Sequence, residues 1–185
     1  MFTSPVMLVS AFRTGEFEGM APRGNAAVLR ICDPTDDWRV EGRGLAGAGW
    51  GASLTLAFWD MDSSALGVKG HLITRLWGRN RAVFEALAGR LFGTDIPWRP
   101  FIAADAIAIA AFADSLADKG IAELLVVCRN GRGRSGTVGR WLAHRLGARF
   151  ATSGDDRDSG YIRETLDRIA GSTPNRIEPT LTQAA

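Results

Sequence analysis

Short Val-, Leu- and Ile-rich runs are spaced along the chain between polar and glycine-rich stretches. Three of them, Ala26 to Cys32, Ser53 to Phe58 and Glu123 to Cys128, are nearly continuous in apolar residues and too short for helices, as strands buried on both faces are. A weaker run at Val6 to Ser10 makes a fourth candidate. Between and after them the apolar positions recur with helical spacing. Ile73, Leu76, Trp77, Phe84, Leu87 and Leu91 share one stripe, and Ile102, Ile109, Phe112 and Leu116 share a second. Ser135 to Leu146 brings Val138, Trp141, Leu142 and Leu146 together, and Ser159 to Ile169 does so with Ile162, Leu166 and Ile169. Strands alternating with helices predict an α/β fold with a central, mainly parallel sheet of four or five strands flanked by helices. The pattern reads as one domain over residues 1–170, with the polar stretch 171–185 a flexible tail.

A chain of 185 residues supports a real core, since a domain of about this size buries roughly 70% of its unfolded surface. Its 22 basic and 20 acidic residues leave a formal charge of +2, too even for nucleic-acid or membrane binding by bulk electrostatics, so any positive patch must be local. Two cysteines, Cys32 and Cys128, make no disulfide framework, and no window reaches the ~18 apolar residues of a membrane span. The expectation is a cytoplasmic protein with free thiols. His71 and His144 are too few and too separated for a metal site, so neither metal nor cofactor is expected. Gly47-Ala-Gly-Trp-Gly51 precedes a strand instead of opening a helix and reads as a turn, while Trp77 and Trp141 fall on core stripes. Cys32 ends a strand and reads as an inert buried thiol, with a resolving partner for an oxidised Cys128 as the alternative.

The chemistry concentrates in Leu124-Leu-Val-Val-Cys-Arg-Asn-Gly-Arg-Gly-Arg-Ser-Gly-Thr-Val138, which runs from a buried strand through a glycine-rich turn into a helix. Such a turn aims backbone N–H groups inward, and the helix N-terminus adds about half a positive charge, so an anion sits naturally inside it. That field and Arg134 favour the thiolate form of Cys128, the form that acts as a nucleophile. Arg134 can grip two phosphate oxygens with its planar fork, a geometry Lys does not copy. Ser135 can donate its hydroxyl to the sulfur, and Gly131 and Gly133 let the backbone turn.

Cys128-x-x-Gly131-x-x-Arg134-Ser135-Gly136 resembles the Cys-x5-Arg signature loop of the cysteine-based protein tyrosine phosphatases, the dual-specificity branch in particular. The layout is similar over about Ser53 to Gly147, and closely so only over Leu124 to Leu142. The resemblance implies metal-free hydrolysis of a phosphomonoester through a phosphocysteine, with the loop residues Arg129, Asn130, Gly131, Arg132, Gly133 and Arg134 binding the phosphoryl group. It implies as substrate a phosphorylated protein, phosphotyrosine first, or a small phosphorylated molecule. Val127 stands where the family usually has His. Arg129 and Arg132 make the loop unusually basic, a trait similar to that of phosphoinositide phosphatases of the superfamily.

The resemblance further implies an Asp that protonates the leaving oxygen and then activates water. Asp60, directly after the strand Ser53 to Phe58, is the first choice, with Asp62 two residues on and Asp95, in Gly-Thr-Asp-Ile-Pro, as rival. Residues 63–92 then read as an insertion covering the active site. Two other readings stay open. One is a phosphate-binding module without turnover, and the other a rhodanese-type sulfurtransferase, whose strand similarly ends in Val-Val-x-Cys-Arg-x-Gly.

Overall fold

The computed structural model describes residues 7–34, 45, 47–59, 83, 99–152 and 158–172. In chain order its elements are β1 (Leu8–Arg13), α1 (Thr14–Phe17), β2 (Ala26–Cys32), β3 (Ala52–Ala57), α2 (Ala103–Ser115), β4 (Glu123–Cys128), α3 (Gly133–Leu146), β5 (Arg149–Thr152) and α4 (Gly160–Ser172). The strands form one sheet in the order β3-β2-β4-β1-β5, and every neighbouring pair is parallel. All five C-terminal ends therefore lie at the same edge. β4 is central, with Cys128 level with Arg13 of β1 on one side and Ile31 of β2 on the other.

Because strand side chains alternate between faces, β4 feeds two cores. Leu124, Val126 and Cys128 join the larger cluster, with Leu29 and Ile31 of β2, Ile109 and Phe112 of α2, Val138 and Leu142 of α3, and Ile162 and Leu166 of α4. Leu125 and Val127 point the other way, into a smaller cluster with Phe17, Val28 and Leu45. Each fully buried Leu, Ile or Phe contributes roughly 1.5–3 kcal/mol, so the helix-covered face carries most of the stabilisation. α3 ends in Gly147, whose φ of +60° is the left-handed conformation of a helix cap, and the Ala148 N–H closes back on the Ala143 carbonyl at 2.8 Å. The chain is thereby turned straight into β5.

The α/β class and the five parallel strands agree with the apolar pattern. β2 and β4 occupy the expected residues, β3 starts one residue earlier than expected, and β1 lies further along than Val6 to Ser10 because its pairing with β4 continues to Arg13. The third and fourth helical stripes fall in α3 and α4, and the second spans α2 with Ile102 and Leu116 on its two cap positions. The first stripe, from Ile73 to Leu91, lies outside the described residues apart from Val83, and so does the proposed cover over residues 63–92. Gly171 and Ser172, placed in the tail by the sequence, are the last residues of α4, and the rest of that tail lies outside the described residues. The chain on either side of residues 60–98 is pinned together. The Trp59 N–H donates to the Arg99 carbonyl at 2.9 Å, and the Phe58 and Phe101 rings pack with centroids 4.8 Å apart.

Candidate active site

The strand-to-helix loop after β4 sits at the C-terminal edge of the sheet, with buried groups beneath it and cations at its mouth. Cys128 is only 2% exposed, at the bottom of the loop. Its Sγ donates to Ser135 Oγ at 3.1 Å, and Ser135 is fully buried. Once the thiol proton is gone, the hydroxyl can turn and donate to the sulfur instead. The first intrahelical bond of α3 runs from the Gly136 N–H to the Arg132 carbonyl at 2.7 Å, so the amides of Gly133, Arg134 and Ser135 precede the helical ladder. The Gly131 N–H, in contrast, closes the turn on the Cys128 carbonyl at 3.3 Å, so this amide of the expected cradle is taken by the loop itself.

Gly131 is dictated twice over. Its φ is +66°, and a Cβ there would lie 2.7 Å from the Arg13 nitrogen at the end of β1. The loop folds tightly against the neighbouring strand at this point. Val127, at the position where the resemblance would have His, faces the opposite side of the sheet from Cys128 and is fully buried in the smaller apolar cluster. An imidazole there would need a polar partner inside that cluster.

Arg134 is held from three directions. Its Nη1 donates to the Phe58 carbonyl at 2.7 Å and the Cys32 carbonyl at 3.3 Å, and its Nη2 lies 2.6 Å from Oδ1 of Asp33. Both partners of this ion pair are buried, with side chains 6% and 5% exposed. Oδ2 of Asp33 accepts a hydrogen bond from Arg129 Nη1 at 3.1 Å, although Arg129 is 69% exposed. Asn130 and Arg132 are exposed at the mouth and Gly133 is half-buried. Nothing beyond exposure marks Asn130.

The structure thus brings together Cys128, Arg134, Ser135, Arg129 and the glycines of the loop. Asp60, Asp62 and Asp95 lie outside the described residues. Sequence reasoning missed Asp33. The signal was present, because Asp33 directly follows the run Ala26 to Cys32, as Asp60 follows its own, and Pro34 behind it favours extended backbone at Asp33. What the apolar pattern did not contain is that β2 lies beside β4. Cys32, the alternative resolving partner, does not share a face of the sheet with Cys128. Ile31 is the residue level with Cys128 and shares its face, so Cys32 points to the other face.

On the outer side of α3, Thr137 Oγ1 accepts the Ser159 N–H at 2.7 Å and donates to Asp158 Oδ1 at 3.2 Å, tying the helix's first turns to the start of α4. Beyond this join is an open cavity of about 280 Å³ between Trp141 and His144 of α3 and Arg163 and Asp167 of α4. His144 is exposed and Trp141 packs half-buried against the core. Among the described residues no helix is long and apolar enough to cross a membrane. No protein-family model matches the chain, and comparison with curated proteins and with solved structures likewise returned no match.

Proposed function

We propose that this chain is a metal-free phosphomonoester hydrolase of the protein tyrosine or dual-specificity phosphatase type, working through Cys128. One observation carries the reading: a buried thiol, a buried hydroxyl 3.1 Å from it and an arginine anchored on three sides occur in one glycine-turned loop at a helix N-terminus. The Cys128 thiolate attacks phosphorus and the bond from phosphorus to the leaving oxygen breaks, with the proton for that oxygen coming from Asp60. The amides that precede the α3 ladder and the Arg134 fork hold the three remaining phosphoryl oxygens, where charge builds in the transition state. Water, giving its proton to the same Asp60 carboxylate, then attacks the phosphocysteine. The sulfur leaves as a thiolate stabilised by the Ser135 hydroxyl. A phosphorylated protein, phosphotyrosine first, is the substrate this reading favours, with phosphoinositides or small phosphorylated molecules behind it, in the cytoplasm.

A second reading, an oxyanion-binding module without turnover, is favoured by Asp33. It is the carboxylate that touches the loop among the described residues, and both its oxygens are occupied by arginines. One experiment separates the two: hydrolysis of an aryl phosphate in EDTA, with and without vanadate, by wild type, Cys128→Ser, Asp60→Ala and Asp95→Ala. The phosphatase reading expects vanadate-sensitive turnover that is lost in Cys128→Ser, and loss of the acid-requiring limb of the pH profile in Asp60→Ala. Wild type no faster than Cys128→Ser overturns it.

A further inference from the structure

We infer that Asp33 is the positioning residue of this loop: a buried carboxylate that fixes the Arg134 guanidinium from behind while keeping Arg129 loosely tethered at the mouth. The inference deepens the phosphatase reading and rests on it only for the identity of the anion as a phosphoryl group.

A guanidinium has five N–H donors. Nη1 of Arg134 uses its two on the Cys32 and Phe58 carbonyls, and Nη2 sits against Asp33 Oδ1. These contacts occupy three of the five donors, and Nε–H and the second N–H of Nη2 remain for the oxygens of a tetrahedral oxyanion. Two of the three anchors are backbone carbonyls that no side-chain substitution removes. Asp33 is the third, and it is also the one that supplies charge.

The same carboxylate treats its two arginines unequally. Its pair with Arg134 is buried on both sides and short, whereas Arg129 is 69% exposed and reaches Oδ2 at 3.1 Å. Exposed pairs are weak and screened. Arg129 can therefore leave Asp33 for an incoming anion while Arg134 stays in place. Asp33 is not arranged as a proton donor to a leaving group, because both of its oxygens are already faced by guanidinium nitrogens and its side chain is buried.

The test is equilibrium binding of tungstate, a tetrahedral oxyanion that is not turned over, to wild type, Asp33→Asn and Asp33→Glu, alongside aryl phosphate turnover by the same proteins and Cys128→Ser. Asp33→Asn keeps the shape and loses the charge. It is expected to weaken tungstate binding by roughly tenfold or more and to lower kcat evenly across the pH profile, leaving the acid limb intact. Should it fail to fold, Asp33→Glu keeps the charge but displaces it by one methylene, and is expected to fold and bind tungstate more weakly than wild type. Wild-type tungstate affinity in the folded Asp33 variants overturns the inference while leaving the phosphatase reading untouched. Loss of the acid limb in Asp33→Asn makes Asp33 a proton donor and also overturns it. If wild type binds tungstate but turns over no faster than Cys128→Ser, the phosphatase reading fails instead, and a weakened Asp33→Asn still upholds Asp33.

Discussion

Gly131 shows how much of the site depends on single backbone positions. Replacing it by Ala imposes a φ of +66° on a residue with a Cβ and drives that Cβ to 2.7 Å from the Arg13 nitrogen and 3.0 Å from the Phe12 carbonyl carbon. The conformation alone costs about 1–3 kcal/mol, and the clash is with backbone that cannot rotate aside. Gly131→Ala is expected to lose at least that much stability in denaturant unfolding. Gly15→Ala, with open space around it and no unusual φ, is expected to stay within ~1 kcal/mol of wild type. The ion pair makes a second expectation at this scale. Breaking it from either side strands a buried charge, at about 3–5 kcal/mol for Asp33→Asn or Arg134→Met. The double variant should lose clearly less than the sum, and a double-mutant cycle by chemical denaturation measures the difference. Independent, additive losses would mean that the pair is not coupled. At this scale the sequence was legible for placement, in setting Cys128, Arg134 and Ser135 together in one strand-to-helix loop. It was not legible for Asp33, whose role comes from a partner 101 positions along the chain.

At the scale of elements, the join between α2 and α4 is open to direct measurement. Asp105 begins α2 by accepting the Ile102 N–H at 3.0 Å and pairing with Arg99 at 2.6 Å, while Tyr161 of α4 donates its hydroxyl to the Phe101 carbonyl at 3.0 Å. Burial, more than the opposing attraction of Arg168, raises the Tyr161 pKa above its ordinary value of 10.0. A group whose folded pKa is raised holds its full contribution below the unfolded value and loses it as pH climbs through the folded one. Stability from Tyr161 is therefore intact at neutral pH and falls above about pH 10, and Tyr161→Phe is expected to flatten that alkaline loss. Tyr161 is the chain's one tyrosine. Tyrosinate absorbance consequently reports it alone, with a higher midpoint in native than in denatured protein, and equal midpoints would refute the burial argument. The three long helices here were readable because each buries one stripe. β5 was not, because of its four residues, Arg149, Phe150, Ala151 and Thr152, only Phe150 is a large apolar one, and the strand exists through pairing with β1.

For the whole molecule, what matters is that parallel strands end together. The sheet order places the ends of β1 and β2 on either side of β4, and Arg134 then ties the loop to Cys32 and Asp33 after β2 and to Phe58 after β3. Neighbouring strands that are far apart in sequence leave no trace in apolar periodicity, which is why the class of the fold was legible while the convergence on Arg134 was not. The same convergence predicts that an anion in the loop stabilises the whole fold, since the group gripping it follows β4 and is tied to the ends of two further strands, β2 and β3. A ligand at about 100 times its Kd adds ~2.7 kcal/mol to the native state. For a chain of 185 residues, at ~2–4 °C per kcal/mol, this raises Tm by about 5–11 °C. Tungstate or vanadate is expected to produce such a shift in wild type and in Cys128→Ala, which keeps the arginine fork. Arg134→Lys, which keeps the charge but loses the fork, should shift far less at the same concentration. An equal shift in Arg134→Lys would mean that the anion is held by diffuse positive charge, or at another place on the protein, and that the anchored guanidinium is not its receptor.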